Sequence, residues 1–295
     1  MSWLRDRALP VLVVVLFIFT AWYAGAVALN AKWAQDKAKR AGIELSLSEL
    51  VADTWSQEKP RLPAPHQVVA EIWKTTGKMV AKGRALSKRS LIFHGWVTLS
   101  ATVVGFALGT ILGILLAVGI VHNRAMDMSV MPWVIASQTV PILAIAPMVI
   151  VVLNAIGITG LIPKAVISMY LSFFPVVVGM VKGLRSPERM QLDQMRTWSA
   201  SRWQTFWKLR FPASTPYLFT SLKIAMAASL IGAIVGELPT GAQGGLGARM
   251  LTGSYYGQTI QIWSALIAAA VLAAVLVGLI GLVQRQTLKR MGMAR

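Results

Sequence analysis

Long apolar runs alternate with basic, polar stretches along the chain. The runs lie approximately at Leu9–Leu29, Trp96–Val121, Pro132–Ile156, Leu161–Val181, Tyr217–Glu237 and Ile260–Val283. Each is close to the roughly 20 residues that carry a helix across the hydrocarbon core of a bilayer. The runs are continuous and do not alternate, which argues against a strand barrel. Lipid cannot satisfy exposed backbone groups, so helices remain as the spanning elements. The pattern predicts an all-α polytopic membrane protein with about six transmembrane helices.

The stretches between the runs set the domain order. Arg5 and Arg7 precede the first run, and no clean small-residue cleavage site follows it. Residues 1–30 are therefore expected to stay as an N-terminal transmembrane helix with its N-terminus in the cytoplasm. Residues 31–90 form a polar segment. In it Ala31 to Ala41 is charged and helix-prone, Pro60, Pro63 and Pro65 interrupt the chain, and Gln67 to Lys82 resumes a helical pattern. Val68, Val69, Ile72, Met79 and Val80 share one side of that pattern, with Glu71, Lys74 and Lys78 facing away. This predicts an amphipathic helix at the membrane interface. Residues 91–284 hold the other five spans, and 285–295 form a basic tail. The loop from Lys182 to Pro216 and the tail both fall on the cytoplasmic side and both are basic, as the positive-inside rule requires. The C-terminus is then cytoplasmic too. Segment 31–90 falls in the periplasm despite its many lysines and arginines; at about 60 residues it is long enough for the rule to lose force.

Composition agrees with this reading. Of 295 residues 56% are hydrophobic and 14% charged, well below the ~25% charge of a soluble domain. There is no cysteine, which excludes disulfides, thiolate catalysis and thiolate metal sites. His66, His94 and His122 are too far apart in sequence to suggest a metal cluster. The net charge of +18 comes without any nucleic-acid recognition motif. Anionic lipid and the insertion rules account for it, and no nucleic-acid partner is expected.

Within the spans, Gly105, Gly109 and Gly113 fall four residues apart and place three glycines on one helix face, where a second backbone can approach. The third run holds Ser137, Gln138, Thr139, Pro141, Pro147 and Asn154. Its prolines free backbone carbonyls and bend the helix. Its polar groups either line a pathway or satisfy local hydrogen bonds. Glu237 ends the fifth run before Pro239 and a glycine-rich stretch from Gly241 to Gly247. An acid at that depth is a pathway candidate, or else a rim residue paired with Arg249. The glycine stretch lacks the lysine and Ser/Thr of an ATP-binding loop and reads as a turn or re-entrant loop.

The segment Leu192 to Pro216, LDQMRTWSASRWQTFWKLRFPASTP, predicts two short helices. The first ends near Thr197. Ser199 and Ser201 are good N-caps for the second, which starts at about Arg202 and which Pro212 should stop before the fifth span. Trp203, Phe206, Trp207 and Phe211 make an aromatic stripe on it. A partner protein or the membrane surface must cover such a stripe.

This segment resembles the EAA loop of the permeases of binding-protein-dependent ABC importers, of the nitrate/sulfonate/taurine type. Asp193, Gln194 and Met195 fall on the Glu-Ala-Ala positions, Ser199 on the glycine and Pro212 on the proline. Ala200-Ser201-Arg202-Trp203-Gln204 matches the family's common wording. Leu62 to Pro65, Gly105 to Gly109, Pro141, Ala146-Pro147, Phe173 to Pro175, Glu237 and Gly245 to Gly247 are similar as well. The resemblance covers roughly residues 60 to 285 and implies a type I ABC importer permease (MetI-like) fold, with an EAA-type coupling loop at 190–212. It further implies a homodimer in the bacterial inner membrane, two cytoplasmic ATPase subunits that bind the ATP, and a periplasmic solute-binding protein. Asp193, Gln194, Met195, Ser199, Ala200, Arg202, Trp203 and Pro212 would make the ATPase-coupling loop; Ser137, Gln138, Thr139, Pro141 and Glu237 are the pathway candidates. No cofactor, metal or catalytic residue is expected in the chain. The solute would be small and polar or anionic: nitrate, a sulfonate, taurine or a pyrimidine-type precursor. The rival readings are an ion-coupled secondary transporter, a membrane-integrated enzyme and a structural anchor.

Overall fold

The computed structural model describes residues 9–239 and 244–293, which contain helices and no strand. In order these are α1 Leu9–Ala41, α2 Leu47–Ser56, α3 Pro65–Thr75, α4 Gly77–Ala81, α5 Leu91–His122, α6 Arg124–Ala136 and α7 Ile142–Ala155. Then follow α8 Leu161–Leu184, α9 Arg189–Thr197, α10 Arg202–Thr205, α11 Phe211–Glu237, α12 Leu246–Tyr255 and α13 Thr259–Arg290. By length and composition α1, α5, α8, the run Arg202–Glu237 and α13 can each cross a membrane. Helices α6 and α7 together make a sixth candidate, bent by 100°. Arg5 and Arg7, Gly241 to Gln243 and Arg295 lie outside the described residues.

The chain divides into two bodies, the first comprising residues 1–93 and 249–268. There α1 does not stop with its apolar run; it continues as helix through the charged stretch to Ala41. Asn30, within α1, is fully buried. Its amide donates to the carbonyls of Thr54 (3.3 Å) and Leu62 (2.8 Å), and its Oδ1 accepts from the Arg61 (2.8 Å) and Leu62 (3.2 Å) amides. One side chain thus satisfies backbone groups of the loop between α2 and α3 that would otherwise be buried without partners. Trp22 donates Nε1–H to the Pro63 carbonyl at 3.0 Å and packs on Trp263 at 4.9 Å between ring centroids. Tyr23 packs on Trp55 and His66. Tryptophan and tyrosine concentrate where a span leaves the hydrocarbon. The expected amphipathic helix Gln67–Lys82 is present as α3 and α4, broken at Thr76.

The second body comprises residues 94–248 and 269–295. Its centre is a seam of small residues. Gly105, Gly109 and Gly113 of α5 face Ser168, Ser172 and Val176 of α8. A Cβ on Gly105 would stand 2.7 Å from the Ala165 carbonyl, and one on Gly109 would overlap the Ser172 hydroxyl. The device repeats between α8 and α11, where Gly232 lies over Ser168 and Gly179 over Ser221. Hydroxyls stitch the three helices together. Ser168 donates to the Ser229 carbonyl (2.8 Å), and Ser229 Oγ donates to the Thr102 carbonyl of α5 (2.8 Å). The glycine spacing in α5 announced one third of this seam. The same four-residue spacing at Ser168/Ser172, Gly179/Gly183 and Gly232/Gly236 would have announced the rest.

The bend of the third run falls at Ser137–Thr139, a single 3-10 turn, followed by Pro141. Pro132 and Pro147 sit inside α6 and α7. The sequence placed the bend at Pro141 and Pro147; it is at the first only, where the missing N–H coincides with a turn already leaving the helical path.

Replacing Gly109 by Ala should lower the thermal midpoint in detergent micelles, at a cost of about 1–3 kcal/mol for overpacking. Gly278 in α13 has no atom within 4 Å of a built Cβ. Ala there should be neutral or stabilise by up to ~1 kcal/mol. Equal behaviour of the two variants would mean that α5 and α8 do not meet along this seam.

Candidate functional site

Two features stand at the two ends of α11. At its start is an elbow built by α9, α10 and the turn between them. The Gln191 side chain accepts the Glu188 amide at 3.0 Å and closes a capping box at the start of α9. The helix ends in a Schellman motif: the Ala200 amide donates to Met195 O (2.9 Å) and the Ser199 amide to Arg196 O (2.8 Å). That geometry needs a left-handed residue at the position after the cap, and Ser199 occupies it with φ +52°. It is the one non-glycine with positive φ among the described residues, and it stands on the EAA glycine position. Ser201 then caps α10, accepting the Gln204 amide at 3.2 Å while Gln204 Oε1 accepts the Ser201 amide at 2.9 Å.

Pro212 does not stop the helix. The run Arg202–Glu237 is unbroken because Phe206–Arg210 is a π turn, in which the Phe211 amide reaches back to Phe206 O. A π turn lets the chain absorb one extra residue, and the missing N–H of Pro212 falls directly after it. The aromatic stripe divides. Phe206 is buried, joined to a cluster with Ala117, Ile120, Val134, Val177, Met180 and Leu184. Trp203 stays 69% exposed although it stacks on Phe206 and meets Trp207 edge to face. Arg210 donates to the Leu184 carbonyl at 3.2 Å, covering the last turn of α8.

Of the predicted coupling residues, Asp193, Gln194, Ser199, Arg202 and Trp203 are exposed, whereas Ala200 and Pro212 are half-buried. Met195 is buried, and what it shows to the outside is the floor of a cleft. Asp193 pairs with Arg196 at 2.8 Å, one turn along α9. Trp198, 67% exposed, is a surface residue that the sequence reading passed over; its aromatic character at a helix end was the available signal. Gln191, Gln194, Met195, Trp198, Ala200, Gln204, Lys208 and Leu209 line a cleft of about 460 Å³.

At the other end, Glu237 is fully buried. Its carboxylate accepts from Thr98 Oγ1 (2.9 and 3.0 Å) and from the Gly247 amide (2.9 Å). Thr98 Oγ1 in turn accepts the Leu246 amide at 2.8 Å, and His94 Nδ1 accepts the Gly245 amide at 3.1 Å. Lys164 donates to the Gly244 carbonyl at 3.2 Å. Every described residue from Gly244 to Gly247 is thus held through its backbone. Gly245 has φ +125°, and a Cβ there would occupy the space of the Glu237 carboxylate. A carboxylate facing the first amides of α12 is also favoured by the helix dipole. The expected Arg249 instead engages Glu71 at 3.5 Å and the Arg89 carbonyl at 3.3 Å. The remaining pathway candidates lie at the α6–α7 bend. Gln138, Thr139 and Pro141 are exposed and Ser137 is half-buried. The Ser137 carbonyl accepts from the Tyr170 hydroxyl of α8.

Five helices and one bent pair long and apolar enough to cross a membrane, with an elbow between the fourth and fifth, describe a multi-pass membrane protein. Residues 109–292 match the family described as binding-protein-dependent transport system inner membrane component, and the chain belongs to that family. Among curated relatives, the formylaminopyrimidine transport permease protein ThiX of Halalkalibacterium halodurans is 32% identical over 61% of this chain and 77% of its own length. The riboflavin transport system permease protein RibX of Chloroflexus aurantiacus is 31% identical over 76% and 78%. A nitrate import permease protein NrtB of Synechocystis sp. is 25% identical over 77% and 78%. In fold, the chain is similar to one from the inward-facing MetNI methionine ABC transporter, with a TM-score of 0.55 and 20% identity over 70% of this chain and 96% of that one. The resemblance read from the EAA-like segment and the flanking motifs is borne out at the level of family and fold. These relatives are transport permeases, and binding-protein-dependent systems are distinct from the ion-coupled carriers held as a rival.

Ser199→Gly should relieve the cost of a left-handed Cβ, about 1–2 kcal/mol. Slower amide exchange across 189–201 is the readout, and Ser199→Val should speed that exchange. Glu237→Ala should leave the Gly247 amide buried and unpaired and lower stability by about 1–3 kcal/mol, with Glu237→Gln less harmful. A thermal midpoint unchanged by the alanine would deny the carboxylate this role.

Proposed function

We propose that this subunit carries a small polar or anionic solute through the bilayer as one of two identical copies, with its termini in the cytoplasm. The elbow is the part a cytoplasmic ATPase grips. The ATP belongs to that partner, and solute arrives from a periplasmic binding protein. The observation that supports this most is the rigidity of the elbow. Two capping boxes, a Schellman turn and the buried Phe206 fix Asp193, Trp198, Ser199, Arg202 and Trp203 on one exposed knob continuous with α11. A rigid knob passes on a push as a rigid body; a floppy loop does not.

From Phe211 to Glu237 α11 is about 40 Å long at 1.5 Å per residue. It therefore joins the knob to the buried carboxylate at the far end. Movement of the knob reaches the segment 244–247 through Glu237, Thr98 and the seam with α8. Glu237 serves in this mechanism as a fastening and not as a pathway lining, since it has no exposed surface. The α6–α7 bend, with the exposed Gln138, Thr139 and Pro141, is the lining candidate that remains. The solute is assigned only as a class. Permeases named for formylaminopyrimidine, riboflavin and nitrate share this architecture, and in it the binding protein makes the selection.

Asp193→Arg, assayed in the reconstituted complex, should abolish solute-stimulated ATP hydrolysis while the permease still inserts and melts normally. Full stimulation by the variant would remove the elbow from the coupling path.

A further inference from the structure

The stretch between α3 and the start of α5 has a composition that the transport function does not require. Lys74, Lys78, Lys82, Arg84, Lys88 and Arg89 are exposed. The acid nearest in sequence, Glu71, already faces Lys74 and Arg249, each at 3.5 Å, and no Asp or Glu follows until Asp127. Large apolar side chains stand between these cations with little cover: Val69, Trp73, Val80 and Leu86 are 64%, 63%, 55% and 71% exposed. The other side of α3 is occupied, with Val68 and Thr75 buried.

Chain connectivity fixes where this strip lies. Ser90 is followed directly by Leu91, the first residue of a spanning helix. The buried Ser90 hydroxyl donates to the Thr75 carbonyl at 3.2 Å. The strip is thus pinned at both ends, by its hydrogen bond back to α3 and by its continuity with α5, and it cannot leave the mouth of a span. Cations interleaved with apolar anchors at that height are the signature of an interfacial segment that binds negatively charged headgroups.

We propose that residues 73–89 form a docking strip for anionic phospholipid, with Trp73, Val80 and Leu86 entering the headgroup boundary and Lys78, Lys82 and Arg84 meeting the phosphates. This holds whichever leaflet carries the strip, and it does not depend on the ATPase assignment. An acidic soluble protein is the competing occupant. The exposed apolar side chains favour lipid, because a soluble partner leaves them in water whenever it departs.

The full-length protein in mixed micelles is titrated with phosphatidylglycerol or phosphatidylcholine, and retained lipid is counted by native mass spectrometry. The wild type should retain phosphatidylglycerol in preference. The variant Lys78→Gln/Lys82→Gln/Arg84→Gln should lose on the order of a hundredfold of that preference, about fivefold per charge. Lys78→Arg/Lys82→Arg should keep it, and the preference should weaken as salt is raised. Thermal midpoints measured in phosphatidylcholine alone show whether all forms are folded. Equal retention of the two lipids by the wild type overturns the proposal. So does an unchanged preference in the triple variant, or a triple variant that keeps its lipid preference and loses only a soluble partner.

Discussion

In hydrocarbon the lipid tails are as apolar as a leucine side chain, so burying apolar surface between helices gains almost nothing. What remains is close packing and hydrogen bonding, and the arrangement of α5, α8 and α11 follows from that constraint. Glycines let the backbones of α5 and α8 meet. Serines on α8 and α11 donate to carbonyls across the gap, at 2.8 Å from Ser168 to Ser229 and from Ser229 to Thr102. A larger residue at any of these places would push the helices apart and break the hydroxyl contacts together. The seam is what makes α11 a strut with fixed neighbours.

The strut has different chemistry at its two ends. At the elbow the apolar material is partly outside: Phe206 anchors the turn within the bundle, while Trp198 and Trp203 face outward. At the other end Glu237 and Gly244 to Gly247 are buried. The buried Glu237 carboxyl group is tolerable because a hydroxyl and a backbone amide hydrogen-bond it. The same groups hold the start of α12. Ser199 marks the elbow as strained, since a left-handed residue carrying a Cβ costs energy that a glycine would avoid.

Much of the fold could be read from residue order. Every predicted span has a helix or, for the third, a bent helix pair. The α5 glycines do meet another helix, α9 ends at Thr197 and Ser201 caps α10 as expected, whereas Ser199 caps no helix and takes the left-handed place in the turn. The misses have physical causes. Helix α1 runs past its apolar stretch because Ala31 to Ala41 has strong helix propensity. The reading of Pro212 as a helix stop failed because a π turn is invisible to residue preferences.

Sequence by itself determined what depends on period and composition: which runs are long and apolar enough to span, and which face is slim enough for close approach. Those properties arise from neighbours within a turn or two along the chain. Only the tertiary structure decided what depends on residues far apart in number. It brought Thr98 to Glu237 and Leu246, Ser168 between α5 and α11, and Asn30 under the loop at Leu62. A buried polar group finds partners wherever the backbone path delivers them, and that path is settled by the packing of whole helices, not by the residues on either side.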